Sequence, residues 1–292
     1  MDKSAGTGIL VVRQLKKEFG AVRAVDGVSL VFEEGVNALL GPNGAGKTTF
    51  LRLLATCEEP TSGTIDVLGL DTASARRKVR RLVGYAPQEG GLYSSWRVDA
   101  YLDYIALLRE VSDPRSRRQA VDQALEVADL RNEARRRISK LSGGMRRRLL
   151  IAQAILADPK VLLLDEPFAG LDPEQRVRMR TLVSELGRSR IVVVSTHQTE
   201  DVSYFCDTVT VLTEGVAAFV GTPEKLTAVA EGRVWVGPPS DPSLLSSALG
   251  SGSSRHVGIP PEGRTIETAT IEDGYLVVLS THAPSTAEAD LR

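Results

Sequence analysis

Residues 41–48 read GPNGAGKT, which fits G-x-x-x-x-G-K-[ST]. That spacing makes a phosphate cradle when it joins a strand to a helix. Glycines at 41, 44 and 46 let the backbone wrap closely, so that N–H groups point inward at phosphate oxygens. The following helix turns its positive end toward the same anion. Lys47 would then neutralise the β- and γ-phosphates, and the Thr48 hydroxyl would ligate Mg²⁺. The candidate phosphate-contacting set is Gly41, Asn43, Gly44, Ala45, Gly46, Lys47, Thr48 and Thr49. A second stretch, VLLLDEP at 161–167, ends an aliphatic run in adjacent carboxylates. Asp165, at the end of a buried strand, suits a second Mg²⁺ ligand. Neighbouring buried carboxylates are costly unless a cation or proton offsets them. The metal accounts for Asp165 and leaves Glu166 to polarise water as a general base. The chemistry implied is hydrolysis of a nucleoside triphosphate.

Such side chains need a sheet to hold them. Residues 9–15, 28–32 and 36–40 are rich in β-branched and aliphatic types and predict strands. The third runs into the glycine loop, and a helix is expected over 47–56. Further short strands are expected at 63–68 and 82–86. From about 98 to 157 apolar residues fall at helical spacing, as in VDAYLDYIALLREV, and predict a helical insert. Residues 161–164 and 191–195 are continuous apolar runs of the kind buried on both faces of a sheet. Asp172-Pro173 opens a helix to about 187, with proline at its first position. Residues 209–212 and 216–220 predict a hairpin turning at Glu214-Gly215.

After GTPEKL, at 221–226, the composition shifts, and 237–264 is dense in Gly, Pro and Ser. The tail predicts a strand at 233–236. It also predicts a short helix from Asp241-Pro242 carrying Leu244, Leu245, Ala248 and Leu249. A last helix is expected from Thr270, where Thr270 and Asp273 form a capping box and Ile271, Tyr275, Val278 and Leu279 share a face.

The chain has 292 residues and is 42% hydrophobic, ample for a packed core. A net charge of −1 gives no global electrostatic case for nucleic acid or acidic lipid. Two cysteines, Cys57 and Cys206, are too few for a disulfide framework and point to a reducing compartment. The opening MDKSAGTG lacks the apolar core of a signal peptide. No apolar run approaches the roughly 20 residues of a membrane span. If the protein works at a membrane, another chain must cross it.

The segment LSGGMRRR at 141–148 places a serine, two glycines and three arginines at a helix entrance. Glycine is a poor helix former and adjacent like charges repel, so the segment wants bare backbone N–H groups there. Together with Gln88 in YAPQ, AGLD at 169–172 and His197 in STH, it makes the chain from about 9 to 226 resemble the nucleotide-binding subunits of ATP-binding cassette (ABC) transporters. The resemblance implies an α/β fold: a P-loop NTPase core with an antiparallel β-subdomain and a helical signature subdomain over about 90–157. Residues 1–226 would be the ATPase domain, and 227–292 a small C-terminal α+β extension.

In that family two subunits meet head to tail, and the signature of one closes over ATP on the other's phosphate loop. Ser142, Gly143 and Gly144 would thus serve the partner's γ-phosphate. Gln88 matches the glutamine that senses Mg²⁺ and the attacking water, and His197 the switch histidine that contacts the γ-phosphate. Asp172 matches an interface aspartate, or is simply the helix cap. Phe19 sits where the family stacks an aromatic on adenine, or is an ordinary core or surface phenylalanine. Arg146, Arg147 and Arg148 are expected on a solvated or interface face. His256 and His282 are expected to be structural. Met145 replaces the usual signature glutamine, and SGGMRRR resembles the branch serving separate exporter subunits, drug and antibiotic efflux pumps among them.

ATP and Mg²⁺ are the implied cofactors. A second copy of the chain and integral membrane permease subunits are the implied partners, placing the protein at the cytoplasmic face of the cell membrane. Nucleic acid is not expected. The alternatives are a soluble ABC-type ATPase acting on DNA or ribosomes, an importer subunit, and a non-hydrolysing regulatory module. The last would show a degraded Lys47, Asp165 or Glu166, and all three are intact.

Overall fold

The computed structural model describes residues 9–249 and 252–282. The reading of residues 1–8 as lacking a signal-peptide core lies outside them. Strand β1 (Leu10–Phe19) turns back into β2 (Val22–Phe32) as a long antiparallel hairpin. Both strands are longer than the apolar patterns predict, because their outer halves carry polar side chains on an exposed ribbon. β4 (Ser62–Val67) and β5 (Leu70–Asp71) complete this four-stranded sheet in the order β2-β1-β4-β5.

β3 (Gly35–Leu40) belongs to a second sheet, with β6 (Val83–Ala86), β7 (Val161–Asp165), β8 (Ile191–Thr196), β9 (Thr208–Thr213) and β10 (Val216–Gly221). Its order is β10-β9-β3-β8-β7-β6. β7 and β8 are buried along their whole length, as continuous apolar runs demand. The pairs β3–β8, β3–β9, β7–β8 and β6–β7 are parallel, so these strands end at one edge. The glycine loop after β3, Gln88 after β6, Asp165-Glu166 at β7 and His197 after β8 all lie at that carboxyl edge. That is where open α/β sheets bind ligands.

Helix α1 (Lys47–Leu54) follows the glycine loop, and α2 (Arg76–Leu82), absent from the sequence reading, leads into β6. The insert folds as α3 (Val98–Leu108), α4 (Pro114–Val127) and α5 (Gly143–Ile155). Asp113 caps α4 by accepting from the Ser116 amide at 2.8 Å. Tyr101, Leu102, Val121, Leu125, Leu149 and Ile151 bury the insert's inner face in one cluster with Leu162, Leu164 and Val194 of the sheet. α6 (Pro173–Gly187) packs on β3 and β8, and α7 (Thr199–Phe205) on β3. Among the described residues no helix is long and apolar enough to cross a membrane.

α8 (Pro223–Ala228) opens the tail, which adds β11 (Val234–Gly237), β12 (Leu245–Ala248), β13 (Ser254–Val257) and α9 (Ile271–His282). The short helix expected from Asp241-Pro242 does not form. Leu244, Leu245 and Leu249 are exposed, so a helix there buries no apolar face. The segment pairs with β13 instead, Leu245 opposite Val257 and Ala248 opposite Ser254. The capping box does form: the Thr270 amide donates to Asp273 Oδ2 at 2.8 Å, and the Asp273 amide to Thr270 Oγ1 at 3.3 Å. Tyr275 and Val278 of α9 join Val202, Val209, Val211 and Leu226 in one apolar cluster. A side chain at Gly274 would put Cβ 1.9 Å from the Leu226 carbonyl oxygen, so only glycine allows this approach of α9 to α8. His256 is fully buried, stacked on Trp235 with ring centroids 5.2 Å apart. Its two nitrogens lie 3.1 Å from Ser243 Oγ and the Pro238 carbonyl, a structural role as expected.

Candidate functional site

The glycine loop is held by backbone on both sides. The Gly41 amide donates to the Thr196 carbonyl at 3.2 Å, and the Ala45 amide to the Pro42 carbonyl at 3.2 Å. A Cβ on Gly41 would lie 2.1 Å from the Leu212 carbonyl oxygen, and one on Gly46 2.1 Å from that of Ala24. Gly44 (φ 83°) faces open space and is required for its left-handed conformation alone. Gly46 (φ 97°) caps α1 without a side chain, so the helix's first amides have no built-in acceptor. A phosphate oxygen fits that need, with the helix dipole behind it. Asn43, Gly44 and Thr48 are exposed at this mouth, Thr49 is half-buried, and Ala45 is buried.

Lys47 is buried and donates to the Gly41 carbonyl at 2.7 Å and the Pro42 carbonyl at 3.0 Å. Its ammonium lies 3.6 Å from Glu166 Oε1. Burial pulls its pKa below the usual lysine value, against the pull of Glu166 and Asp165.

Asp165 Oδ1 accepts from Thr48 Oγ1 at 3.2 Å and from Ser195 Oγ at 2.6 Å. Tyr85 donates a long hydrogen bond to Oδ2 at 3.5 Å, and burial first, then Asp165, pushes that phenol's pKa up, keeping it a neutral donor. A carboxylate and a hydroxyl in contact are the hard oxygen donors Mg²⁺ takes from a protein when phosphates and water supply the rest. Among the described residues no three or more His, Cys, Asp or Glu side chains group to hold a metal, so this pair is not part of an all-protein cage.

Ser195 and Tyr85 escape the sequence reading. Ser195 is fully buried and also accepts from the Glu166 amide at 2.8 Å. Its only signal is a hydroxyl ending the apolar run IVVVS. Ser195→Ala leaves that amide unpaired and frees Asp165 to turn. It is expected to cost about 1–3 kcal/mol of stability and to raise the Mg²⁺ concentration needed for half-maximal ATPase activity by about 10-fold or more. Thermal melts and a Mg²⁺ titration of activity check both.

Glu166 is buried with a left-handed backbone (φ 47°), rare for a residue with a side chain. Such strain persists where surrounding structure imposes it, often at functional sites. Both its carboxylate oxygens lie 3.1 Å from His197 Nδ1. The fold therefore gathers Lys47, Thr48, Asp165, Glu166 and His197 into one group.

The signature segment stands apart. Ser142 caps α5, its Oγ accepting from the Met145 amide at 3.2 Å. A Cβ on Gly143 would meet open space, while one on Gly144 would lie 2.2 Å from Gln175 Oε1. Gln175 is the residue whose amide caps onto Asp172 Oδ1 at 2.8 Å, so Asp172 is a helix cap in this fold. Among the described residues no hydrogen bond or ion pair joins Ser142, Gly143 or Gly144 to residues 41–49. Gln88 is exposed, and its carbonyl accepts from Arg147.

A family model described as ABC transporter matches residues 25–169. The Nod factor export ATP-binding protein I of Burkholderia lata is 38% identical over 216 residues, spanning 73% of this chain and 71% of that protein. The chain belongs to the ABC transporter ATP-binding family. Sulfate/thiosulfate import ATP-binding protein CysA 2 of Rhizobium meliloti is 39% identical over 227 residues, 74% of this chain and 60% of that protein. The solved structure of cbiO1 from Clostridium perfringens, part of the ABC transporter complex cbiONQ, superposes with a TM-score of 0.68 at 29% identity. It covers 76% of this chain and 91% of cbiO1. The protein is an ABC ATPase: it binds ATP and hydrolyses it.

Within this ABC ATPase, the arginines after the signature lie on an accessible face of α5, Arg146 exposed and Arg147 and Arg148 half-buried. Arg146 reaches the Ser139 carbonyl at 3.3 Å, Arg147 the Gln88 carbonyl, and Arg148 the Asp129 carboxylate at 2.6 Å. Each long side chain folds back onto a loop carbonyl or carboxylate, which offsets repulsion among the three charges. Phe19 lies at the β1–β2 turn, 49% exposed, with Lys17 Nζ 4.8 Å from its ring centroid. Ala24, on the same hairpin, touches Gly46, so the exposed ring stands on the sheet that borders the phosphate loop.

Proposed function

We propose that two copies of this ABC ATPase close head to tail on two ATP molecules, and that hydrolysis reopens them to drive membrane-embedded permease subunits, in the direction of export. The observation that carries it is the signature helix start: capped by Ser142, open above Gly143, and without a bond to its own phosphate loop. It is an anion site that needs a ligand from outside. ATP held by one copy's residues 41–49 and touched by the other's Ser142–Gly144 is bound by both only in the closed state. That differential contact is what shifts the population toward closure.

In each composite site the first amides of α1 and Lys47 would hold the phosphates, and Phe19 would stack on adenine. Mg²⁺, held by Thr48 and Asp165 with Gln88 beside it, would neutralise charge on the phosphates. Glu166 would take the proton of the attacking water, and His197, fixed by Glu166 at 3.1 Å, would turn its other ring nitrogen to the γ-phosphate. Residues 1–226 are the ATPase domain in this reading, with the helical subdomain over about 90–157. Residues 227–292 are a docking or dimer-stabilising extension. A cavity of about 480 Å³ between α2, α3 and the core, lined by Arg77, Tyr85, Leu108 and Arg109, suits the permease contact. The exposed ring group of Tyr93, Trp96 and Tyr104 lies on the same insert. Likeness to a Nod factor export protein supports the outward direction.

Purification from native membranes in mild detergent, with mass spectrometry of what comes along, tests this. A multi-span membrane protein at comparable abundance, without an extracytoplasmic binding protein, is expected. A binding protein in the complex would reverse the direction. Ribosomal or DNA-associated proteins in place of a membrane partner would end the transporter reading and leave the ATPase intact.

A further inference from the structure

Asp201, on α7, is 1% exposed and pairs with a cation from another helix. Arg180 of α6 donates to its Oδ1 through Nε at 3.1 Å and Nη2 at 2.6 Å. Its Oδ2 accepts from Thr196 Oγ1 at 3.2 Å, and Thr196 Oγ1 accepts from the Gln198 amide at 3.1 Å. Thr196 and Gln198 are the two residues that flank His197. Arg176, one turn before Arg180 on α6, donates to Gln198 Oε1. A buried carboxylate costs several kcal/mol unless charge and hydrogen bonds offset it. Here both oxygens are offset: Oδ1 by Arg180 of α6, and Oδ2 by Thr196, which ties it to the stretch of backbone that carries the histidine. Arg180 also covers the Tyr204 ring, its guanidinium carbon 4.6 Å from the centroid, which fixes the fork on α7.

We infer that Asp201 is a positioning residue for His197. With Arg180 it locks the backbone on both sides of the histidine to helix α6, and so sets where the imidazole stands against Glu166. The same helix begins at Asp172, and its Gln175 rests on Gly144 of the signature. The frame that holds the histidine is thus the element in contact with the signature segment. Asp201 touches neither the phosphate loop nor the reacting groups. The inference rests on the reading of His197 as the γ-phosphate contact.

Asp201→Asn keeps the shape and removes the charge that orders the fork. It is expected to lower kcat for ATP hydrolysis by about 10- to 100-fold with KM for ATP changed by less than about 2-fold, since misplacement near the chemistry acts on the transition state. Asp201→Glu restores most of the rate. Thr196→Val cuts the link to the Gln198 amide, leaves the ion pair intact, and is expected to reproduce the loss. It serves as the test if Asp201→Asn does not fold. In a His197→Ala background Asp201→Asn adds no further loss of kcat, because the two changes act through one side chain. A kcat near wild type for both Asp201→Asn and Thr196→Val, while His197→Ala keeps only a small measurable fraction of its turnover, overturns the positioning role alone. Additive losses in the double variant overturn it as well, by showing a general structural effect. Normal turnover by His197→Ala removes the histidine reading itself, and the inference with it.

Discussion

Glu166→Gln is expected to bind ATP normally and to hydrolyse it about 10²- to 10⁴-fold more slowly, the range lost with a general base. The amide has the carboxylate's shape but cannot accept the water's proton. It keeps an acceptor oxygen for His197, now 3.1 Å from both carboxylate oxygens. It loses the charge 3.6 Å from Lys47, so the lysine is freer to engage phosphate and nucleotide affinity does not fall. The left-handed backbone at residue 166 is unchanged, because strain there depends on a Cβ that both residues have. With chemistry blocked and ATP retained, dimers should persist in ATP and dissociate on its removal. Single-turnover hydrolysis, equilibrium ATP binding and size-exclusion chromatography with and without ATP check the three parts. Turnover within a few-fold of wild type would mean that another group takes the proton.

Some of this site was legible because its signals are local. The glycine loop states its own geometry in eight residues, and a strand must precede it. Asp165-Glu166 could be placed because an aliphatic run ending in acids has one plausible exit, the carboxyl edge of a parallel sheet. The helix from Thr270 was legible for the same reason, since a capping box is made within four residues. Ser195 and Asp201 were not. Ser195 meets Asp165 across 30 positions of sequence, and Asp201 meets Arg180 across 21, so neither residue announces its partner. The segment around Leu245 was misread because apolar spacing describes a face only if something covers it. Its leucines are exposed, and pairing with β13 decided the outcome. The signature arginines could be expected on a solvated or interface face, but not their partners, because the groups they reach lie in segments that only the fold brings near.

Gly143→Asp should abolish hydrolysis in a dimer of like subunits, and mixing that protein with the Glu166→Gln variant should restore it. A Cβ at Gly143 meets nothing within 4 Å, so the protomer has room for the change. An acidic residue in the first turn of α5 also suits the helix dipole. The fold is therefore expected to hold, and ATP binding to the protomer's own Lys47 loop with it. What fails is the γ-phosphate contact, where a carboxylate would face an anion. Loss of a preorganised donor alone costs about 10²- to 10³-fold, and repulsion adds to it. In a head-to-tail dimer the two defects fall on the same composite site. The mixed dimer pairs an intact 41–49 loop and Glu166 from the Gly143→Asp subunit with an intact signature from the Glu166→Gln subunit. With free exchange about half the dimers are mixed, each with one working site of two, so a single turnover should recover about a quarter of the wild-type amplitude. If the signature instead served its own phosphate loop, each subunit would carry its own defect into any dimer and no mixture would recover. The two arrangements thus predict opposite results from the same two inactive proteins.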